Sequence, residues 1–183
     1  LEIAEGLKET GTLVYNGDEP LLWEKRDYFK NSISFGINNT DVDVYGKNIR
    51  VTRNSTEFDM IYNDMVIKDI FLPAVGVHQV YNAMAAYITG KLAGMCEKEI
   101  RNGLLNYKPS GMRQRIYKKN NYTVIEDCYN ASPESMKASL SVLSQLGENR
   151  RTIAVLGEMK ELGDHSPDLH KSVGQRLAEL NID

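Results

Sequence analysis

The hydrophobic period of this chain changes at Pro73, and that change divides the fold. Between Ser32 and Leu72, apolar residues fall in β-rich runs, with Val42, Val44, Ile49, Val51, Phe58 and Ile61 near period two. Asn63-Asp64 separates two of these runs and has the chemistry of a hairpin turn. The pattern predicts a small, mostly antiparallel sheet. After Pro73 the spacing becomes helical. Val77, Val80, Tyr81, Met84, Ile88 and Leu92 mark a helix over Val77 to Ala93, stopped by Gly94. Glu97 to Asn106 predicts a second helix. Ahead of the sheet, residues 3–9 read as the tail of a helix and Thr12 to Tyr15 as a short strand. Pro20 sits near the start of a helix through about Phe29, with Leu21, Leu22 and Tyr28 able to face a core.

Lys108-Pro109-Ser110-Gly111 is the best boundary by its Pro, Gly and Ser content, and predicts domains over 1–108 and 109–183. Beyond it, Arg115 to Lys118 and Tyr122 to Ile125 read as strands around an Asn120-Asn121 turn. Pro133 to Leu146 is a helix with Ser132 as N-cap and a buried stripe of Met136, Leu140 and Leu143. Thr152 to Leu156 reads as a short buried strand. Ser166-Pro167-Asp168 starts a last helix with Leu169, Val173, Leu177 and Leu180 inward. Strands alternating with helices predict an α/β fold with a mainly parallel sheet.

The formal net charge of −3 over 183 residues gives no global argument for nucleic acid. No apolar run approaches the ~20 residues that span a bilayer, so membrane insertion is not expected. Cys96 and Cys128 lie far apart, have no metal spacing, and read as free thiols of a cytoplasmic protein. The sequence opens at Leu1 among helical residues and closes at Asp183 just after a helix, which reads as a piece of a longer protein.

Four stretches could carry chemistry. In Gly76 to Ala86, Gln79 and Asn82 lie three apart on one helix face. Carboxamides match the N6/N7 edge of adenine, and Ala83, Ala85 and Ala86 leave room for a flat ring. The alternative is a helix start with two solvated amides. In Gly111-Met112-Arg113-Gln114-Arg115, Arg113 suits an anionic or ribosyl group at an interdomain crease. Residues 108–121 hold five basic side chains and no acid, so a plain solvated edge strand is the other reading. In Glu126 to Ser135, an acid, a phenol and an amide stand where a strand hands over to a helix, the sheet edge at which α/β proteins bind ligands. Asp127 there suits a ribose, or else Asp127 and Asn130 only shape the turn. Gly157 to Ser166 falls at the same edge and reads equally as substrate contact or surface loop. His165 and His170 have no third ligand nearby, so no metal site is expected. Gly46-Lys47 and Gly90-Lys91 lack the earlier glycine and the following hydroxyl of a P-loop, so no phosphate cradle of that type is encoded.

With Asn16-Gly17-Asp18-Glu19-Pro20 and Val155 to Gly163 added, these stretches stand in an order that resembles the Mur ligase family. The chain is most similar to the branch that adds D-alanyl-D-alanine to UDP-N-acetylmuramoyl-tripeptide in peptidoglycan synthesis. Another Mur-type or related amino-acid ligase, or a non-catalytic nucleotide-binding module, is the alternative. The resemblance implies the second half of a central ATP-binding domain with a small antiparallel sheet, then an incomplete Rossmann-like α/β domain. It implies nucleotide contacts from His78, Gln79, Asn82, Arg113 and Asp127, with Asn82 on adenine and Asp127 on the ribose. Tyr129, Asn130 and Ser135 would face the incoming amino component. Gln79 stands where the family usually has Asn, and Glu126 and Ser132 where Asp and Asn are common. ATP and Mg are the implied cofactors. The magnesium ligands and the P-loop lysine would lie outside this chain, which alone would be inactive and holds no catalytic residue of its own.

Overall fold

The structure is a computed structural model that describes residues 2–109, 111–147 and 150–183. Ser110, within the predicted boundary, lies outside the described residues. The chain forms two compact units, Leu1–Tyr107 and Lys108–Asp183.

The first unit carries a five-stranded sheet in the order β1-β2-β3-β4-β5. The strands are β1 Leu13–Asn16, β2 Ser32–Gly36, β3 Val44–Val51, β4 Thr56–Tyr62 and β5 Met65–Leu72. The last three form the expected antiparallel meander. They share one sheet with β1 and β2: β1 pairs in parallel with β2, and β2 in parallel with β3. Period two reports which face of a strand is buried, not the direction of its neighbour, so the mixed pairing was invisible in the sequence. At the β4–β5 turn Tyr62 pairs with Met65, and Asn63 and Asp64 have φ of 50° and 61°. Positive φ at both central residues is the type I′ geometry that fits the strand twist.

Helix α3 (His78–Leu92) lies across this sheet. Val80, Met84 and Ile88 are completely buried against Val44, Phe58, Met60 and Ile70. Each such side chain contributes about 1.5–3 kcal/mol by leaving water. Val77 and Leu92, the ends of the predicted stripe, are exposed instead. Gly94 ends the segment at φ 81°, and α4 (Glu97–Leu105) adds Ile100 and Leu104 to the core.

Two early elements are shorter than expected. Helix α1 covers only Glu2–Glu5, and Gly6 follows it. Helix α2 covers Pro20–Trp23 and is followed by a separate 3-10 turn at Arg26–Tyr28. Leu21 (72% exposed) and Tyr28 therefore face solvent rather than a core. The reason lies in Glu24-Lys25-Arg26-Asp27, which offers no apolar side chain to hold the next turn inward.

In the second unit, β6 (Arg115–Lys119) and β7 (Tyr122–Glu126) form the predicted hairpin about Asn120, whose φ is 54°. Helices α5 (Pro133–Gly147) and α6 (Ser166–Glu179) pack through Leu140 and Val173, joined by Met136, Leu143, Leu177 and Leu180. Thr152 to Leu156 is not a buried strand. Its backbone makes one parallel bridge, from Ala154 N–H to the Asp183 carbonyl (2.7 Å) and from Asp183 N–H to the Thr152 carbonyl (3.0 Å). Val155 is 95% exposed. A parallel strand is stabilised only where neighbours pair along its length and cover both faces, and here a single residue does so. Among the described residues, the sheet of this unit is thus two antiparallel strands, not a mainly parallel one.

Candidate functional site

The first unit presents an amide cluster on the opening turns of α3. Its entry is fixed from below by Thr56, which is fully buried. The Thr56 hydroxyl donates to the Ala74 carbonyl (2.8 Å) and accepts the Gly76 N–H (3.1 Å). Gly76 itself has φ 117°, a region open to glycine. Past that corner the Gln79 amide nitrogen lies 3.0 Å from His78 Nε2, and Asn82 Nδ2 donates to Gln79 Oε1 at 3.4 Å. An amide nitrogen only donates, so His78 Nε2 accepts in this arrangement. Gln79 and Asn82, grouped by their spacing, and His78, implied by the resemblance, form one polar row, with Asn82 exposed. Ala86 is exposed beside it, while Ala83 is part of the core.

Behind this row lies a group the sequence reading did not single out as a site. Asp18 accepts N–H bonds from Ile37 (2.8 Å), Asn38 (3.1 Å) and Asn39 (2.7 Å), and the Tyr81 hydroxyl donates to it at 2.7 Å. Burial alone would raise the Asp18 pKa, but the bonds from Ile37, Tyr81, Asn39 and Asn38 outweigh it and hold the carboxyl below its ordinary value. Burial, and then the bond to Asp18, push the Tyr81 phenol well above its ordinary range.

The second unit gathers residues from three segments. Asp127 follows directly on β7. Its carboxylate accepts the Gln114 N–H at 3.1 Å and the hydroxyl of Ser139 on α5. The Arg113 guanidinium sits over the Tyr129 ring, 4.3 Å from its centroid, and Tyr129 is 63% exposed. Arg113 from one predicted stretch and Asp127 and Tyr129 from another thus belong to one cluster. The Cys128 N–H donates to the Met112 carbonyl (3.0 Å), which ties the two loops together. Asn130 Oδ1 accepts the Ala131 N–H (3.0 Å), a turn-shaping bond. Ser135 is engaged in the helix cap. Its N–H donates to Ser132 Oγ (3.2 Å), and its own Oγ accepts the Ser132 N–H (2.9 Å). Ser139 was missed in the sequence. Its available signal was the i,i+4 spacing from Ser135, which puts both hydroxyls on one helix face.

The stretch from Gly157 to Ser166 is irregular up to a 3-10 turn at Gly163–His165. His170 uses both ring nitrogens in packing it: Nε2 lies 3.1 Å from the Met159 N–H, and Nδ1 lies 2.8 Å from the Ser166 carbonyl. Among the described residues, no group of three His, Cys, Asp or Glu could hold a metal ion. No helix among them is long and apolar enough to cross a membrane.

These two clusters fall within two segments that match known domain models. Residues 1–90 match the Mur ligase middle domain, and residues 112–183 match the glutamate ligase domain of Mur ligases. The chain belongs to the Mur ligase family. It is 35% identical over its whole length to the UDP-N-acetylmuramoyl-tripeptide--D-alanyl-D-alanine ligase of Bacillus subtilis (strain 168), covering 39% of that protein. Among solved structures it resembles MurF from Acinetobacter baumannii, with 29% identity and a TM-score of 0.86 over 100% of this chain and 39% of the other. It also resembles MurF ligase from Thermotoga maritima in complex with ADP, with 27% identity and a TM-score of 0.79 over 96% of this chain and 40% of the other. This Mur ligase chain spans about two fifths of the length of the curated relatives it matches.

Asn82 and Gln79 offer paired donors and acceptors. An ionised carboxylate has about four lone-pair positions, and Gln114 and Ser139 take two of those on Asp127. The remainder can accept ribose hydroxyls.

Proposed function

We propose that this chain is the adenosine-side part of an ATP-dependent amide ligase that joins D-alanyl-D-alanine to UDP-N-acetylmuramoyl-tripeptide in the cytoplasm. The observation that carries this reading is the 35% identity to a ligase of that name along the entire chain. ATP supplies the phosphoryl group that activates the tripeptide carboxylate as an acyl phosphate, which the amine of D-alanyl-D-alanine attacks. The residues of this chain bind and orient. Asn82, aligned by Gln79 and His78, takes the adenine edge. Asp127 accepts the ribose hydroxyls, and Arg113, stacked on Tyr129, offers a fixed cation to the nucleotide. Tyr129 and Asn130 face the incoming dipeptide, with Ser135 behind them in the α5 cap. Magnesium and the phosphates of ATP would be held by parts of the enzyme other than the residues named here.

A phosphate-release assay tests the reading. The full-length enzyme is expected to release phosphate only with ATP, the UDP-linked tripeptide and D-alanyl-D-alanine together, and this chain alone is expected to release none. Preference for meso-diaminopimelate, lysine or glutamate over D-alanyl-D-alanine would assign it to another member of the family. Substrate-dependent phosphate release by this chain alone would refute its role as the adenosine side only.

A further inference from the structure

The geometry points to Tyr81 as a positioning residue for the opening turns of α3, acting through its hydrogen bond to Asp18. This inference rests on the nucleotide role proposed for Asn82 and Gln79. Tyr81 stands between those residues, and each step along a helix turns the side chain by about 100°. Its phenol therefore leaves α3 away from the Asn82 side and reaches back to the loops that follow β1 and β2.

The anchor it meets is rigid. Asp18 is bound by three successive backbone N–H groups at Ile37, Asn38 and Asn39. Asn38 Nδ2 also lies 3.3 Å from the Tyr81 hydroxyl. Gly36 is part of the fit, because a Cβ there would stand 2.6 Å from Asp18 Oδ1. No larger residue lets the carboxylate lie against β2 in this way.

The start of α3 depends on such an anchor. Val77 at its N-cap is exposed and makes no side-chain capping bond. The apolar face that fixes the helix as a whole runs through Val80, Met84 and Ile88. Around His78 to Asn82, polar ties into the body of the unit include Thr56 to Gly76 and Tyr81 to Asp18. Loss of the phenol hydroxyl leaves the apolar packing intact and frees the turn that carries the amides. The effect on nucleotide affinity passes through Asn82.

ADP affinity of the full-length enzyme, measured by titration calorimetry for Tyr81→Phe, Asn82→Ala and the double variant, tests this. Asn82→Ala is expected to weaken ADP binding about tenfold, and Tyr81→Phe about threefold, the scale of one hydrogen bond and part of one. In the Asn82→Ala background, Tyr81→Phe is expected to have no further effect. An equal loss in both backgrounds, or no loss in either, overturns the positioning role. An Asn82→Ala variant that binds ADP normally overturns the nucleotide reading of α3, and the inference with it. Asp18→Asn serves as a second probe. It leaves one oxygen to be shared between Tyr81 and the loop amides, so the same dependence on Asn82 is expected.

Discussion

Asp127→Ala separates the two things this carboxylate can do. In the fold it accepts the N–H of Gln114, a buried residue, and the hydroxyl of half-buried Ser139. Removing a charged acceptor from a buried N–H costs about 1–3 kcal/mol, while Ser139 can turn to water at a cost nearer ~0.5 kcal/mol. The fold-side loss is therefore roughly 1.5–3.5 kcal/mol. In the complex, the carboxylate would accept ribose hydroxyls, a charge-assisted contact worth about 1.5–3 kcal/mol, or roughly tenfold to a hundredfold in affinity. Affinity for ADP alone mixes these terms. Comparing ADP with 2′,3′-dideoxy-ADP isolates the second, since only one ligand carries the hydroxyls. The wild-type enzyme is expected to prefer ADP by at least about tenfold, and Asp127→Ala to bind the two ligands equally. Ser139→Ala is expected to reduce the preference without abolishing it, because it frees one carboxylate oxygen. Refutation would be a preference for ADP that survives intact in Asp127→Ala while both affinities fall together. The carboxylate would then act only by holding Gln114 and Ser139.

Two further outcomes follow from groups the site depends on. Thr56→Val keeps the shape of a completely buried side chain but leaves the Ala74 carbonyl and the Gly76 N–H without their partner. It is expected to cost about 2–4 kcal/mol in urea unfolding with an unchanged slope, and a loss under ~0.5 kcal/mol would show that water replaces the hydroxyl. Asp18 has a lowered pKa in the fold, since its hydrogen bonds outweigh the upward push of burial. Its contribution is present above the unfolded carboxylate pKa of about 3.9 and is lost as pH falls through the lower folded value. Wild type should therefore lose stability more steeply than Asp18→Asn as pH falls below about 4, and parallel curves would remove Asp18 from the acid response.

Local signals in the sequence translated directly into structure where one short stretch decides the geometry. Asn63-Asp64 has the residues a type I′ turn requires, and Ser132-Pro133 caps and starts α5 as their chemistry dictates. The stripe through Val80, Met84 and Ile88 located α3 because helical period and burial coincide there. Expectations that needed a partner elsewhere fared differently. Thr152 to Leu156 has strand-forming residues, but a parallel strand needs neighbours that no local pattern specifies. The helix expected from Pro20 to Phe29 had its start signal and lacked an inner face. For the site, Arg113 and Tyr129 were found in separate stretches, and their stacking is a tertiary fact. Thr56, Asp18 and Ser139 were missed for one reason. Each is a polar side chain whose partner lies at least twelve residues away, and hydrophobic periodicity carries no record of such pairs.

The two clusters rest on different kinds of support, and this bears on how each would engage a nucleotide. The amides of α3 stand on a helix whose inner face is completely buried, and Thr56 and Asp18 tie its opening turns to the sheet. Side chains so supported are ordered before a ligand arrives, so binding loses little conformational freedom there. Arg113, Asp127 and Tyr129 stand on two loops joined by a few hydrogen bonds and one ring contact, with Tyr129 mostly in solvent. Segments with few buried contacts open at low free-energy cost. On the proposed reading, the α3 amides are a preformed edge, and the Asp127 loops tighten when they are engaged. That asymmetry predicts where substitutions act: changes beneath α3 alter affinity through the shape of a fixed surface, and changes in the second cluster alter it through the cost of ordering two loops.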